Sequence, residues 1–269
     1  MLKQRVITAL ILGILVLGAV IWAPVWLFSL LVGCVTLYGA WEWSNFCRIG
    51  RQNRLVYVGV AGLIMCVIAA IGLHNLLTTI VIAAGLFWLL AIVMVLRFPE
   101  GLRWSACGPK LVIGMWVLVP AWAALTAIKA LPDGVWLIFL LLFLVWGADT
   151  GAYFAGRAMG KRKLMPRVSP GKTLEGVYGG LVTCVVIAAV YAFLRELSFV
   201  SAVFLIVLAV ITAVASVLGD LFESMFKRER GIKDSGTLLP GHGGVLDRID
   251  SITAAAPIFL LGLIYFPVL

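Results

Sequence analysis

The residues with the greatest chemical capacity in this sequence crowd into one polar stretch, KDSGTLLPGHGGVLDRID, residues 233–250. Asp247 and Asp250 stand three residues apart, so they share one face of any helix that begins there. Carboxylates without a Cys/His cluster favour Mg²⁺ over zinc, and Mg²⁺ is usually shared between one or two carboxylates and substrate phosphates. Gly243 and Gly244 would let the backbone approach such a ligand closely. The structural alternative is that acids simply suit a helix N-terminus.

A second set of polar residues lies just upstream, where a long apolar run ends. Four side chains share one helical stripe, with the spacing i, i+3, i+4 and i+7: Asp220, Glu223, Ser224 and Lys227. A salt-bridged helix end would explain Lys227 and Arg228, because cations suit a helix C-terminus. It does not explain Asp220, which would lie at the edge of a bilayer. We therefore expect Asp220, Ser224 and Lys227 to belong to the same site.

Asp149 is the third unusual acid, because it interrupts the apolar run FLLLFLVWGADTGAYFAG. An ionisable group within a membrane span is costly and usually has a function. The alternative is a purely structural ion pair with Lys172 or Arg157. We predict that Asp149 takes part in the site.

The segment VSPGKTLEG, residues 168–176, contains residue types that commonly surround phosphate, namely Ser169, Lys172 and Thr173. It lacks the first half of a Walker A motif, and no strand is predicted before it, so a P-loop is rejected. Two interpretations stay open from composition: a basic loop beside a phosphate, or a plain turn before the next apolar run.

The elements that position these residues are predicted from composition. The 269-residue chain is 63% hydrophobic and only 12% charged, with a mean hydropathy of +1.13. A soluble domain has about 25% charged residues, so the sequence indicates a polytopic all-α membrane protein. The apolar runs do not alternate with polar residues, which excludes a transmembrane barrel. The net charge of +9 does not indicate nucleic acid, because the basic residues lie between the apolar runs. The scattered cysteines are typical of small buried side chains.

Nine apolar runs are long enough to span a membrane. They cover residues 6–23, 25–44, 55–73, 76–96, 111–129, 134–156, 176–194, 198–222 and 251–268. The first run is interpreted as a span and not as a signal peptide, because no clean cleavage site follows it. We expect an N-terminal region of about four spans, residues 1–110. Residues 111–269 then form a catalytic region with two polar loops, 157–175 and 223–250.

The basic residues predict the orientation of these spans. Nineteen of the 21 lysines and arginines fall on one side of a nine-span chain, and only Lys129 and Arg195 fall on the other. Cytoplasmic connections are enriched in Lys and Arg. The N-terminus and both polar loops are therefore expected in the cytoplasm, and the C-terminus in the periplasm.

The segment from Ser224 to Asp250 contains the pattern S-x-x-K-R-x-x-x-x-K-D, a small-residue turn, and H-G-G-x-x-D-R-x-D. This pattern resembles the signature of the phosphatidate cytidylyltransferases, also called CDP-diglyceride synthases. Every fixed position of the signature is present. The segments WGADTGAY, SPGKTLEG and SVLGD are also similar to bacterial members of that family.

The resemblance implies that CTP and phosphatidate react to give CDP-diacylglycerol and pyrophosphate. It also implies a multi-pass protein of the bacterial inner membrane, a homodimer among membrane lipids, and a requirement for Mg²⁺, with K⁺ as a second candidate ion. The acids expected at the metal are Asp220, Asp247, Asp250 and Asp149. The other residues expected to bind substrate or assist catalysis are Lys227, Arg228, Ser169, Lys172, Thr173, Ser224, Lys233, Asp234, His242, Gly243, Gly244 and Arg248.

Two other functions fit parts of the sequence. A related CTP-using membrane enzyme could phosphorylate a lipid alcohol or cytidylylate another lipid phosphate. A transporter could use Asp149 and Asp220 as an ion path, although transport has little need for a dense polar loop outside the spans. Transfer of the α- or γ-phosphate of CTP would distinguish the two enzymes.

The orientation is testable with fused reporters. A reporter fused after Leu269 should give a periplasmic signal, because nineteen basic residues place the other side in the cytoplasm. A reporter inserted within residues 157–175 should give a cytoplasmic signal and serves as the control. A cytoplasmic signal from the C-terminal fusion would contradict the nine-span arrangement.

Overall fold

A computed structural model describes residues 2–100 and 105–266, and their side chains except those of residues 2–6 and 73–75. Within this part the chain forms nine α-helices. They are α1 (Leu2–Trp22), α2 (Val25–Trp43), α3 (Arg51–Ile71), α4 (Leu73–Leu96), α5 (Cys107–Ala130), α6 (Gly134–Met159), α7 (Leu174–Leu194), α8 (Phe199–Arg230) and α9 (Leu246–Tyr265). A 3₁₀ turn, Ser44–Cys47, follows α2. The basic side chains of Lys3, Arg5 and Arg103 lie outside the described residues.

The helices confirm a polytopic membrane protein. Eight helices of the described chain are long and apolar enough to cross a membrane, and residues Ile7–Trp22 of α1 form a shorter apolar helix. Large apolar side chains such as Trp26, Leu86 and Phe193 are exposed on the outer faces, as expected where lipid replaces water. Each of the nine predicted spans corresponds to one helix. The number of membrane crossings remains a prediction.

The predicted loop 223–250 is shorter in the structure, because helices extend into it from both ends. α8 continues to Arg230, and α9 begins at Leu246, which leaves the connection 231–245. The extension of α8 is stabilised by Phe222, Met225 and Phe226, which are buried against other helices. Hydropathy places the end of a span where the polar residues begin. It does not detect a polar helix that continues beyond that point.

Gly231 terminates α8 in a left-handed conformation, with φ of 77°. Its N–H bonds to Arg228 O at 3.1 Å, and the N–H of Ile232 bonds to Lys227 O at 2.9 Å. This arrangement satisfies the last carbonyl groups of the helix, and glycine adopts it without steric cost. The chain therefore turns immediately after the charged end of α8.

The predicted loop 157–175 contains an antiparallel hairpin of β1 (Lys163–Met165) and β2 (Ser169–Thr173). Glu175 closes its base by accepting bonds from the N–H groups of Lys161 and Arg162, each at 3.1 Å. Thr173 Oγ1 accepts the N–H of Gly176 at 3.1 Å and caps α7. The hairpin thus leads directly from the end of α6 into α7.

Small residues allow the helices around the polar residues to pack closely. α6 and α7 meet at glycines, where a Cβ added to Gly180 would lie 2.7 Å from the carbonyl oxygen of Ala148. α8 meets α9 at Gly219, whose added Cβ would lie 2.5 Å from the carbonyl oxygen of Asp250. Glycine lets helix backbones approach each other in membranes. Asp149, which follows Ala148, and Asp220, which follows Gly219, are thereby held near neighbouring helices.

An aromatic cluster joins the end of α2 to α8. The rings of Trp43 and Phe226 are 4.9 Å apart, and Phe46 stacks on Phe226 at 5.9 Å. All three side chains are buried. Such ring pairs contribute about 0.5–1.5 kcal/mol each beyond the burial of their area. The cluster places the last turn of α2 beside the polar end of α8.

The glycine contact between α6 and α7 predicts a stability difference between two alanine variants. Gly180→Ala should destabilise the protein by about 1–3 kcal/mol, because the methyl group meets the backbone of α6. Gly59→Ala is the control, since nothing lies within 4 Å of its added Cβ. Thermal unfolding in detergent measures both, and equal midpoints would contradict the packing.

Candidate active site

Lys227 lies at the centre of the polar residues. Its Nζ atom is 2.6 Å from Glu223 Oε2 and 2.7 Å from Asp247 Oδ1. Glu223 lies one helical turn before Lys227 on α8, and Asp247 lies in the first turn of α9. The side chains of Glu223 and Asp247 are only 3% and 4% exposed, so neither can rely on solvent. Each carboxylate therefore needs the ammonium group as its partner.

Asp247 also organises the connection that precedes α9. Its Oδ2 accepts the N–H of Gly244 at 2.8 Å and that of Ser235 at 2.9 Å. Gly243 has φ of 80°, and a Cβ there would lie 2.7 Å from Asp247 Oδ2. The two glycines therefore let the connection fold directly over the carboxylate. This role uses the Gly244 N–H group that the sequence suggested for binding phosphate.

A second ion pair lies nearer the surface. Lys172 Nζ, from β2, is 2.7 Å from Asp220 Oδ2, and the hydroxyl of Ser224 donates to Asp220 Oδ1 at 3.1 Å. The side chains of Lys172 and Asp220 are 23% and 28% exposed, so this pair is accessible from outside. Asp149 interacts electrostatically with Lys172, Asp220 and Arg248. Hairpin, α6, α8 and α9 thus meet at one place.

Acids outnumber bases in this cluster. Its interacting members are Asp149, Asp220, Glu223, Asp247 and Asp250, with Lys172, Lys227 and Arg248. Asp250 interacts with Asp220 and Glu223, and Glu223 Oε1 is buried with no hydrogen-bond partner. This excess of carboxylate oxygen fits an added cation.

Among the described residues, no three His, Cys, Asp or Glu side chains form a group that could hold a metal ion by themselves. Mg²⁺ does not require such a group, because one or two carboxylates suffice when substrate phosphates complete its coordination. Asp220 and Asp250 meet that lesser requirement. The donor set therefore fits a magnesium ion bound together with a phosphorylated substrate.

Several other predicted residues have structural contacts. Thr173 caps α7, and Ser169 pairs with Met165 in the hairpin. Arg228 donates from Nε to the carbonyl oxygen of Val168 at 3.1 Å, which ties α8 to the hairpin.

The remaining predicted residues lie in or just after the connection 231–245. Lys233, Asp234 and Arg248 are exposed, and Asp234 lies beside Gly243. His242 Nδ1 lies 3.5 Å from the carbonyl oxygen of Pro240. Of these side chains, Arg248 borders the cluster, because it interacts with Asp149.

Three residues of the site were not predicted from the sequence to belong to it, namely Glu223, Glu42 and Ser235. Glu223 was recognised in the helical stripe but was not assigned to the site. Glu42, near the end of α2, accepts bonds from Ser235 Oγ and from the N–H of Leu246. Glu42 carries the signal that identified Asp149, a lone acid in an apolar run. Nothing in the sequence singles out Ser235.

Comparison with known proteins shows the family of the chain. The model of the cytidylyltransferase family matches residues 3–266. The chain belongs to this family. The match spans all the elements that form the cluster, from α2 to α9.

Several curated relatives match nearly the whole chain. A phosphatidate cytidylyltransferase of Pseudomonas aeruginosa is 45% identical over 261 residues, covering 96% of each chain. One of Haemophilus influenzae is 40% identical over 280 residues, covering 96% of this chain and 97% of its own. A Bacillus subtilis protein of the same name is 44% identical over 132 residues, about half of each chain.

The two ion pairs predict different effects on stability. Lys227→Met leaves Glu223 and Asp247 buried without a cation, which should cost about 3–5 kcal/mol. Lys172→Met removes a partly exposed pair, so its cost should stay below about 1 kcal/mol. Thermal unfolding in detergent compares the two variants. Equal losses would show that Lys227 does not compensate buried charge.

Proposed function

We propose that the protein transfers the cytidylyl group of CTP to phosphatidate, producing CDP-diacylglycerol and pyrophosphate. The observation that carries the proposal is the paired cluster of Lys172–Asp220 and Glu223–Lys227–Asp247. The family match covers every residue of this cluster, and the relatives from Pseudomonas aeruginosa and Haemophilus influenzae are named for this activity. Two polyanionic substrates need bases to neutralise their charge, and acids that could hold a cation would serve the same purpose.

The reaction needs no covalent intermediate on the protein. A phosphate oxygen of phosphatidate forms a bond to the α-phosphorus of CTP, and the bond from that phosphorus to the pyrophosphate oxygen breaks. The attacking oxygen is already anionic, so no side chain has to remove a proton. Catalysis then depends on positioning and on neutralisation of charge.

The bases divide this work according to exposure. Lys172 and Arg248 are accessible and interact with Asp149, so they are placed to contact incoming phosphates. Lys227 is already held by Glu223 and Asp247, and it supplies a fixed positive charge beneath them. Ser224 orients Asp220 through its hydroxyl group.

Asp220 and Asp250 are the proposed magnesium ligands, with Asp149 nearby. A bound Mg²⁺ would neutralise phosphate charge and help to orient the substrates. Asp247 accepts bonds from Lys227, Ser235 and Gly244, so it would join the metal only by giving up one of these contacts. K⁺ is a second candidate ion for the same acids.

The membrane setting follows from the substrates. The acyl chains of phosphatidate remain in the bilayer, whereas CTP arrives from the cytoplasm. The proposed location is the bacterial inner membrane, with the N-terminus and the cluster on the cytoplasmic side and the C-terminus in the periplasm. We also propose that the protein acts as a homodimer.

Labelled CTP tests both the reaction and the acids. With wild-type protein in mixed micelles, label from the α-phosphate should enter lipid, and label from the γ-phosphate should not. Asp220→Asn and Asp247→Asn should each lower kcat at least about 100-fold, because each removes charge from the cluster. Removal of Mg²⁺ by a chelator should have the same effect.

The control for these variants is Asp133→Asn, which removes an exposed acid paired with Arg195 at the start of α6. It should leave activity unchanged. Entry of the γ-label into lipid would replace the proposed reaction with a kinase reaction. Full activity in both Asp220→Asn and Asp247→Asn would refute the assigned roles of these acids.

A further inference from the structure

Glu42 connects the N-terminal half of the chain to the cluster. It is the penultimate residue of α2 and is only 2% exposed. Its Oε2 accepts the N–H of Leu246 at 2.7 Å and the hydroxyl of Ser235 at 3.2 Å. These partners lie 204 and 193 residues away in the sequence. The carboxylate is thus an anchor for the connection 231–245 and for the start of α9.

The start of α9 depends on this contact. Its N-cap residue, Val245, has no side chain that could accept a hydrogen bond, and Leu246 is the first helical residue. The first N–H groups of a helix need acceptors from elsewhere, and an anion is especially favourable there. Glu42 supplies this acceptor from another helix. The direction in which α9 starts is therefore set by α2.

The connection is also shaped to fit the Glu42 carboxylate. A Cβ at Gly244 would lie 2.5 Å from Glu42 Oε2, and one at Gly236 would clash with the same carboxylate. Both glycines allow the backbone to pass against the side chain. Ser235, which precedes Gly236, donates its hydroxyl to Glu42 and its N–H to Asp247. Ser235 therefore links the two carboxylates.

The contacts form one continuous series from α2 to α8. Glu42 holds Ser235, Ser235 and Gly244 hold Asp247, and Asp247 holds Lys227. We propose that Glu42 is a positioning residue for cytidylyl transfer, which it supports by fixing α9 and Asp247 against Lys227. The inference rests on the proposed function. Glu42 acts through its partners and does not contact the substrates.

One oxygen of Glu42 has a cost for stability. Oε1 is buried with no hydrogen-bond partner, and an unsatisfied buried oxygen destabilises the folded protein. A side chain selected only for packing would avoid this cost. The retained carboxylate is consistent with a role in which Oε2 must accept two bonds at a defined position.

The experiment compares Glu42→Met with Glu42→Gln in detergent-solubilised full-length protein. Glu42→Met removes the acceptor at nearly constant size and should lower kcat about 100-fold, as expected for a misplacement of about 1 Å. The KM for CTP should change less than kcat. Glu42→Gln keeps an oxygen acceptor for Leu246 and should lose no more than about tenfold. An equal loss in both variants would overturn the proposed capping.

Ser235→Ala tests the proposal even if the Glu42→Met variant does not fold. It removes only the hydroxyl link and should lower kcat about threefold to tenfold without a change in the thermal midpoint. In the variant that combines Glu42→Met with Ser235→Ala, the two losses of kcat should not add, because both substitutions break the hydrogen bond between Ser235 and Glu42. Unchanged activity in Ser235→Ala, or additive losses, would overturn the proposal.

Glu229→Met is the matched control, because Glu229 is another largely buried acid, 2.6 Å from Lys110 and outside the cluster. It should lower the thermal midpoint but keep kcat of the folded protein within about twofold. If Glu229→Met lowered kcat as much as Glu42→Met, the loss would be a general effect of removing buried acids, and the proposal would be overturned. Inactive wild-type protein would refute the proposed function instead, whereas active wild type with an unchanged Glu42→Met variant would refute this inference alone.

Discussion

The burial of the Lys227 ammonium group between two carboxylates is the interaction on which the rest of the site depends. In an environment of low dielectric constant, neither a lone lysine nor a lone carboxylate would remain charged at acceptable cost. Lys227 therefore requires Glu223 from its own helix and Asp247 from α9. This requirement fixes how α8 and α9 face each other. Removing Lys227 would leave two buried carboxylates without their cation.

The need to compensate these buried charges explains why α8 stays helical after its apolar residues end. Glu223 and Lys227 can pair only if the residues between Asp220 and Arg230 remain helical, because the pair needs a spacing of one turn. Aromatic and sulfur-containing side chains on the opposite face, Phe222, Met225 and Phe226, supply the burial that keeps this extension in place. Helix α8 therefore serves as both a membrane span and one wall of the site.

Close packing of helices at glycines also brings charged residues of the cluster together. Gly219 lets α8 approach α9 until Asp220 and Asp250 interact, and Gly180 lets α7 approach α6 near Asp149. Like charges repel, so such proximity of carboxylates needs cations to compensate it. Lys172, from the hairpin, compensates Asp220. The Lys172–Asp220 pair is therefore the part of the cluster that is open to the outside, whereas the contacts of Lys227 are buried.

The sequence by itself determined the helical membrane class, the order of the helices and the composition of the polar stretches. These properties depend on local hydropathy and on spacing along one helix. The stripe from Asp220 to Lys227 was predicted for that reason. The sequence did not predict that α8 extends to Arg230 and leaves a connection of only 231–245. It also did not predict the contacts of Thr173 and Gly244, because all these features depend on other elements. Only the tertiary structure decided that Lys227 pairs with Asp247, and that Glu42 reaches Ser235 and Leu246 across about two hundred residues. Hydropathy does not specify which helices are neighbours, and a carboxylate acquires its partner only when their packing brings the two together.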